Sequence, residues 1–176
     1  MATEKLKFKL ELYAIMWDSF PETIGTLATR RRGGKPPVAE ITVGGKSYFK
    51  GDITTYEKEP ALIEFEAELT EGQDYELVIH RSGKDKGETI VNDEGDIIKD
   101  QLLGIKGIEI DEIDIGSLIY SGVYKPEYPE PWATQQREAG LALEESFKNV
   151  TRMGHNGTWT LKFSSPFYMW LLENLY

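Results

Sequence analysis

From residue 5 to residue 12 hydrophobic and charged side chains alternate strictly: Leu6, Phe8, Leu10 and Leu12 are interleaved with Lys5, Lys7, Lys9 and Glu11. A strand points successive side chains to opposite faces, so a period of two makes one face apolar and the other wet. The same period returns along the chain. "PVAEITVGGKSYFKGDI" reads as strand, turn and strand, with Gly44-Gly45 supplying the positive φ that a tight hairpin turn needs. "ALIEFEAEL" alternates again, "TEGQ" turns, and "DYELVIHRS" returns as the second strand of a hairpin. "LLGIKGIEIDEIDIG" carries Ile108, Ile110, Ile113 and Ile115 along an extended segment, and "TWTLKFSS" adds a last alternating run. Strands joined by glycine-containing turns, without long helices between them, predict an all-β chain built as an antiparallel β-sandwich of jelly-roll type. At 176 residues the chain is long enough for one full core and too short for two, so residues 1–176 are expected to form a single domain.

Two segments break the period. In residues 125–157, Pro126, Pro129 and Pro131 forbid regular pairing, which predicts a long proline-rich crossover loop; "ATQQREAGLALEESFKNV" within it suits one or two short turns of helix. The ending, "SPFYMWLLENLY", suits a short helix, because Phe167, Trp170, Leu171 and Tyr176 recur at helical spacing, or a final strand. A third segment, "RRRGGKPP" at residues 30–37, reads as a flexible exposed loop, with docking to an acidic partner as its functional alternative.

Composition removes several classes of function. The net charge of −10 disfavours nucleic acid and anionic membranes as partners, since both would be repelled. Cysteine is absent, which removes disulfides, thiolate nucleophiles and sulfur-ligated zinc. There is no run of about 18 apolar residues to span a membrane. "MATEKLKFKLEL" lacks the unbroken apolar stretch of a secretory signal, so the "NGT" sequon at Asn156 carries no weight. No G-x-S-x-G and no phosphate-binding glycine loop occur, and only His80 and His155 are available as bases. His80 reads as a packed or edge residue of a strand, and His155 as a cap on a loop-to-strand junction. Thirty acidic residues contain carboxylate pairs enough for glycoside hydrolysis but nominate none, so a glycosidase is the third reading.

Two groups of residues remain as candidate sites. Asp93, Asp96 and Asp100 are hard oxygen donors, and Gly95 beside them permits a sharp turn, as a calcium loop requires; the spacing is not that of an EF-hand, and "NDEGD" is also what a hairpin tip looks like. Tyr120, Tyr124, Tyr128 and Trp132 gather in "LIYSGVYKPEYPEPW". Aromatic rings stack on sugars and anchor protein interfaces, and proline between them pre-orders the loop. They equally well cover a core edge. Phe167, Trp170 and Leu171 are expected to bury against the sandwich or against a neighbouring subunit.

"GDIIKDQLLGIKGIEIDEIDIGSLIYSGVYKPEYPEPWATQQREAG" followed by "GHNGTWTLKFSSPFYMWLLENLY" resembles a type of small virion structural protein of tailed phages, cyanophages especially, from about Glu64 onward. That resemblance implies a non-enzymatic part of the tail, baseplate, fibre or capsid surface. Such a protein is made in the host cytoplasm, resides in the virion, and acts through contacts with other virion proteins or its own copies. "DQLLGIKGIEIDEIDIG" is similar, more faintly, to calcium-dependent xylan-binding jelly-roll modules. This second resemblance implies Asp100 as a calcium ligand, although the asparagine and arginine usual beside that aspartate are missing and extra residues precede the closing glycine. The expectation is therefore a structural or decorating virion protein with no cofactor. The alternative is a glycan-binding module that stacks a host surface glycan on Tyr124, Tyr128 and Trp132, with Ca2+ as its possible cofactor.

Overall fold

The computed structural model describes residues 2–20, 29–32, 35–84, 89–91 and 97–175. The strands are β1 (Thr3–Phe20), β2 (Thr29–Arg32), β3 (Val38–Val43), β4 (Lys46–Asp52), β5 (Ala61–Thr70), β6 (Asp74–Ser82), β7 (Ile90–Val91), β8 (Ile97–Ile110), β9 (Ile113–Asp114), β10 (Val123–Pro126), β11 (Phe147–Lys148), β12 (Arg152–Met153) and β13 (Gly157–Ser164). A 3-10 helix spans Gly116–Ser121, and two α-helices follow, α1 (Trp132–Glu138) and α2 (Phe167–Leu175). Among the described residues no helix is long and apolar enough to cross a membrane.

Two antiparallel sheets face each other, and the chain is an antiparallel β-sandwich. In the first sheet β1 lies at the centre, with β8 along one edge and β5 and β2 sharing the other. The second runs β11-β10-β13-β6-β3-β4. The two-residue period decides what lies between them. Leu6, Phe8, Leu10 and Leu12 of β1 are buried, as are Leu77 and Ile79 of β6 and Trp159, Leu161 and Phe163 of β13. On the wet side of the first sheet Lys5, Lys7 and Lys9 stand opposite Glu68, Glu66 and Glu64 of β5, so the same alternation that fills the core also builds a ladder of opposite charges.

The structure departs from the sequence reading at four places. "TEGQ" does not join a hairpin: β5 pairs with β1 and β6 with β13 and β3, so the turn carries the chain from one sheet to the other. Residues 102–116 do not run on as one extended segment. The chain reverses at Asp111 (φ 51°) and Glu112 (φ 66°), and β9 returns along β8, pairing Ile113 with Ile110. Arg30, Arg31 and Arg32 lie in β2, paired with Ser19, Asp18 and Trp17, instead of in a loop. The crossover holds, besides its helix, the strand pairs of β11 with β10 and β12 with β8. At Gly44 (φ 59°) and Gly45 (φ 84°) the hairpin turn has the expected geometry, and of the two readings of the ending the helix is the one found.

Candidate binding site

Three rings meet at the end of the sandwich where β13 begins. Tyr128 follows β10, Trp132 opens α1, and His155 precedes β13. The Tyr128 and Trp132 centroids are 6.0 Å apart, Tyr128 and His155 5.2 Å, and Trp132 and His155 5.6 Å. Trp132 is 38% exposed. Each ring is fixed from a different direction. The Tyr128 hydroxyl donates to the Glu144 carbonyl (2.6 Å), which ties the proline-bent turn to the returning chain. Glu130 Oε2 accepts from the Thr134 hydroxyl (2.7 Å) and from its N–H (3.3 Å), organising the first turn of α1 below Trp132. The His155 N–H donates to the Tyr124 hydroxyl (2.9 Å), which in turn donates to the His155 carbonyl (2.7 Å). Gly157, at the start of β13, meets β10 so closely that a Cβ there would lie 2.3 Å from the Lys125 carbonyl oxygen. No larger residue permits that approach.

Beneath the rings the core turns polar. Arg81, wholly buried, donates through Nη1 to Asn156 Oδ1 (2.9 Å) and through Nη2 to the carbonyl (2.8 Å) and the Oε1 (2.6 Å) of Gln101. Asn156 also accepts the Lys84 N–H (3.0 Å) and donates to the Lys84 carbonyl (3.0 Å), while its own carbonyl takes the Glu127 N–H (2.6 Å). Both ends of the Asn156 side chain are thus used, and the sequon nitrogen is committed to the fold. Lys84 Nζ lies 3.4 Å from Asp100 Oδ1 and donates to the Gly154 carbonyl. The cluster joins the end of β6, in one sheet, to β8 in the other and to the 154–156 segment that carries His155.

This environment sets the charge state of the rings. Burial lowers the His155 pKa from 6.5, and the cations Lys84 and Arg81 lower it further against the opposing pull of Asp100, so the imidazole is a neutral ring at pH 7. Burial pushes the Tyr124 hydroxyl up to about 12. For Tyr128 the shift is also upward, from burial first and then from Glu144.

The structure brings together only part of the expected set. Tyr128 and Trp132 share one face. Tyr124 is a core residue, 4% exposed, whose hydroxyl supports His155 instead of offering a ring to solvent. Tyr120 is exposed but sits on the 3-10 helix, and no ring of a described residue contacts it. Phe167 and Leu171 bury against the sandwich and Trp170 packs partly buried beside them, at the opposite end. Asp93 and Asp96 lie outside the described residues. Asp100 Oδ1 accepts from the Thr89 hydroxyl (2.7 Å), the Gln101 N–H (2.9 Å) and a lysine ammonium, so this oxygen is engaged within the fold. Among the described residues no three His, Asp or Glu side chains converge as a metal would need. The residues missed from the sequence are His155 as a ring partner, and Arg81, Gln101 and Asn156 below it.

No protein-family profile matches the chain, and no curated protein matches it in sequence. Two solved chains are similar in shape. One is vCBM60 in complex with galactobiose, with a TM-score of 0.46 and 9% identity, covering 88% of this chain and 96% of that one. The other is a selenomethionine form of vCBM60 from a study of two families of calcium-dependent carbohydrate binding modules, with a TM-score of 0.47 and 9% identity, covering 89% of each. Likenesses this loose carry no information about what the chain binds.

Proposed function

We propose that the protein is a non-enzymatic glycan-binding domain whose platform is the face formed by Tyr128, Trp132 and His155. The observation that carries this reading is the convergence of three mutually packed rings, partly open to solvent, on a proline-stiffened turn anchored by a buried hydrogen-bond network. Such a face meets the apolar C–H side of a pyranose with little ordering cost, and an uncharged His155 ring completes it without a charge to desolvate. The rim carboxylates Glu127 and Glu130 and the net charge of −10 favour neutral over anionic sugars. Calcium has no role in this reading. The test is a glycan array followed by titration calorimetry. Trp132→Ala should lower affinity by about tenfold or more while the protein stays folded with only a small drop in Tm, since the side chain is partly exposed and packs on two other surface rings. An array blank for neutral and anionic glycans alike would remove the proposal, as would unaltered binding by the variant.

A second reading, assembly through α2, is favoured by one observation. Tyr168, Met169, Leu172 and Leu175 of α2 are all about half exposed, while Phe167 and Leu171 of the same helix are buried. Sedimentation velocity decides it: concentration-dependent self-association is expected, and a monomer throughout would exclude contacts between copies.

A further inference from the structure

We infer that the Lys84 ammonium is a built-in cation which clamps β8 to the 154–156 segment, so that the ring face is assembled without any divalent metal. The chain leaves β6 at Ser82 and places Lys84 between two oxygens from distant parts of the sequence, the Asp100 carboxylate on β8 and the Gly154 carbonyl. Both ionic side chains are largely covered, at 12% and 17% exposure. A carboxylate and a carbonyl converging on one positive centre are the partners a hard metal ion would also draw. Here a covalently attached ammonium takes that position, and the Lys84 main chain is held in place through both its N–H and its carbonyl by Asn156. Because Gly154 immediately precedes His155, the clamp fixes the backbone of the ring closest to the core. Lys84 is thus a positioning residue that touches no ligand.

This inference goes beyond the glycan reading and is tested without a sugar. The intact wild-type protein should melt at the same temperature in millimolar CaCl2 and in EDTA. Lys84→Met, which keeps the stem and removes the charge, should lower Tm by roughly 5 °C, because Asp100 is left without its ionic partner. Adding Asp100→Asn to that variant should recover part of the loss, showing that the two charges act on each other. Amide hydrogen exchange at His155 and Asn156 should rise by about tenfold in Lys84→Met while α2 exchanges as before. Calcium raising the wild-type Tm with EDTA reversing it would overturn the inference, as would simple additivity of the two substitutions. If no glycan is ever bound, these results stand, and if the clamp fails the glycan titrations are unaffected by that outcome.

Discussion

The two ends of the sandwich are closed by opposite chemistry. Where β13 ends, α2 lays Phe167, Trp170 and Leu171 over the core, with Phe163, Phe167 and Trp170 ring centroids 5.9 to 6.3 Å apart. A shallow groove of about 610 Å3 lies beside them, bordered by Tyr75 and the Gly44–Gly45 turn. The polar tie at this end is Glu4, whose carboxylate accepts from the Phe167 N–H (2.8 Å) and from the Ser165 hydroxyl. Where β13 begins, the corresponding depth is filled by a guanidinium, two amides and an ion pair. Apolar packing is non-directional, so damage to it follows the volume removed. A buried polar cluster is directional, and removing one member leaves its partners stranded. The apolar end is therefore suited to being a plug, and the polar end to holding side chains in register.

That contrast can be broken by experiment. Arg81→Met should have the largest effect, about 4 kcal/mol or a Tm drop of roughly 10 °C, because the buried Gln101 loses its guanidinium donor and Asn156 keeps only the Lys84 N–H. Phe167→Ala should come next, at about 3 kcal/mol, and Phe167→Leu should restore most of that loss because it refills the volume. Thermal melts check the order. Arg81→Met keeps most of the bulk and removes the hydrogen bonds, so a loss no larger than that of Phe167→Leu would show that the polar end too is held by volume alone.

The smallest effect is on pH. Burial sets the His155 pKa below 6.5, so the unfolded chain takes up this proton first as pH falls. Stability should therefore decline as pH drops through 6.5 and level off once the folded imidazole also titrates. His155→Gln should remove that component of the pH profile, and the same component should persist in Phe167→Leu.

Much of the fold was legible because alternation is a local property. The inward and outward residues of β3 and β13, and of β1 as far as Leu12, follow from parity alone, whereas the charge ladder needs the pairing of β5 with β1, which parity does not give. A turn sequence is less informative. "TEGQ" guarantees a reversal but not whether the flanking strands pair or face each other, and that is settled by the register of β5 on β1. The reversal at Asp111 and Glu112 lacks the glycine or asparagine that usually marks positive φ. It is held from afar, by the Lys7 N–H donating to Asp111 Oδ1 (2.8 Å) and the Asp111 N–H donating to the Lys7 carbonyl (2.8 Å). The site was half legible. Proline among aromatics pointed to Tyr128 and Trp132, but nothing local distinguishes Tyr124, which alternation turns inward. Arg81 shares the parity of Leu77 and Ile79, and Gln101 that of Leu103, and all five are buried in the structure, a pattern the sequence reading missed. Two polar residues at inward positions on different strands are a signal that becomes readable only when they are taken together.

The commitment of Asn156 has a practical consequence for production. Oligosaccharyltransferase modifies Asn-X-Ser/Thr in chains entering the endoplasmic reticulum, before folding is complete. A sugar tree added there would replace one hydrogen of the amide nitrogen that donates to the Lys84 carbonyl, and its bulk would crowd the junction of the two sheets. Secretion from yeast or mammalian cells should yield misassembled material, whereas bacterial expression leaves that amide bare.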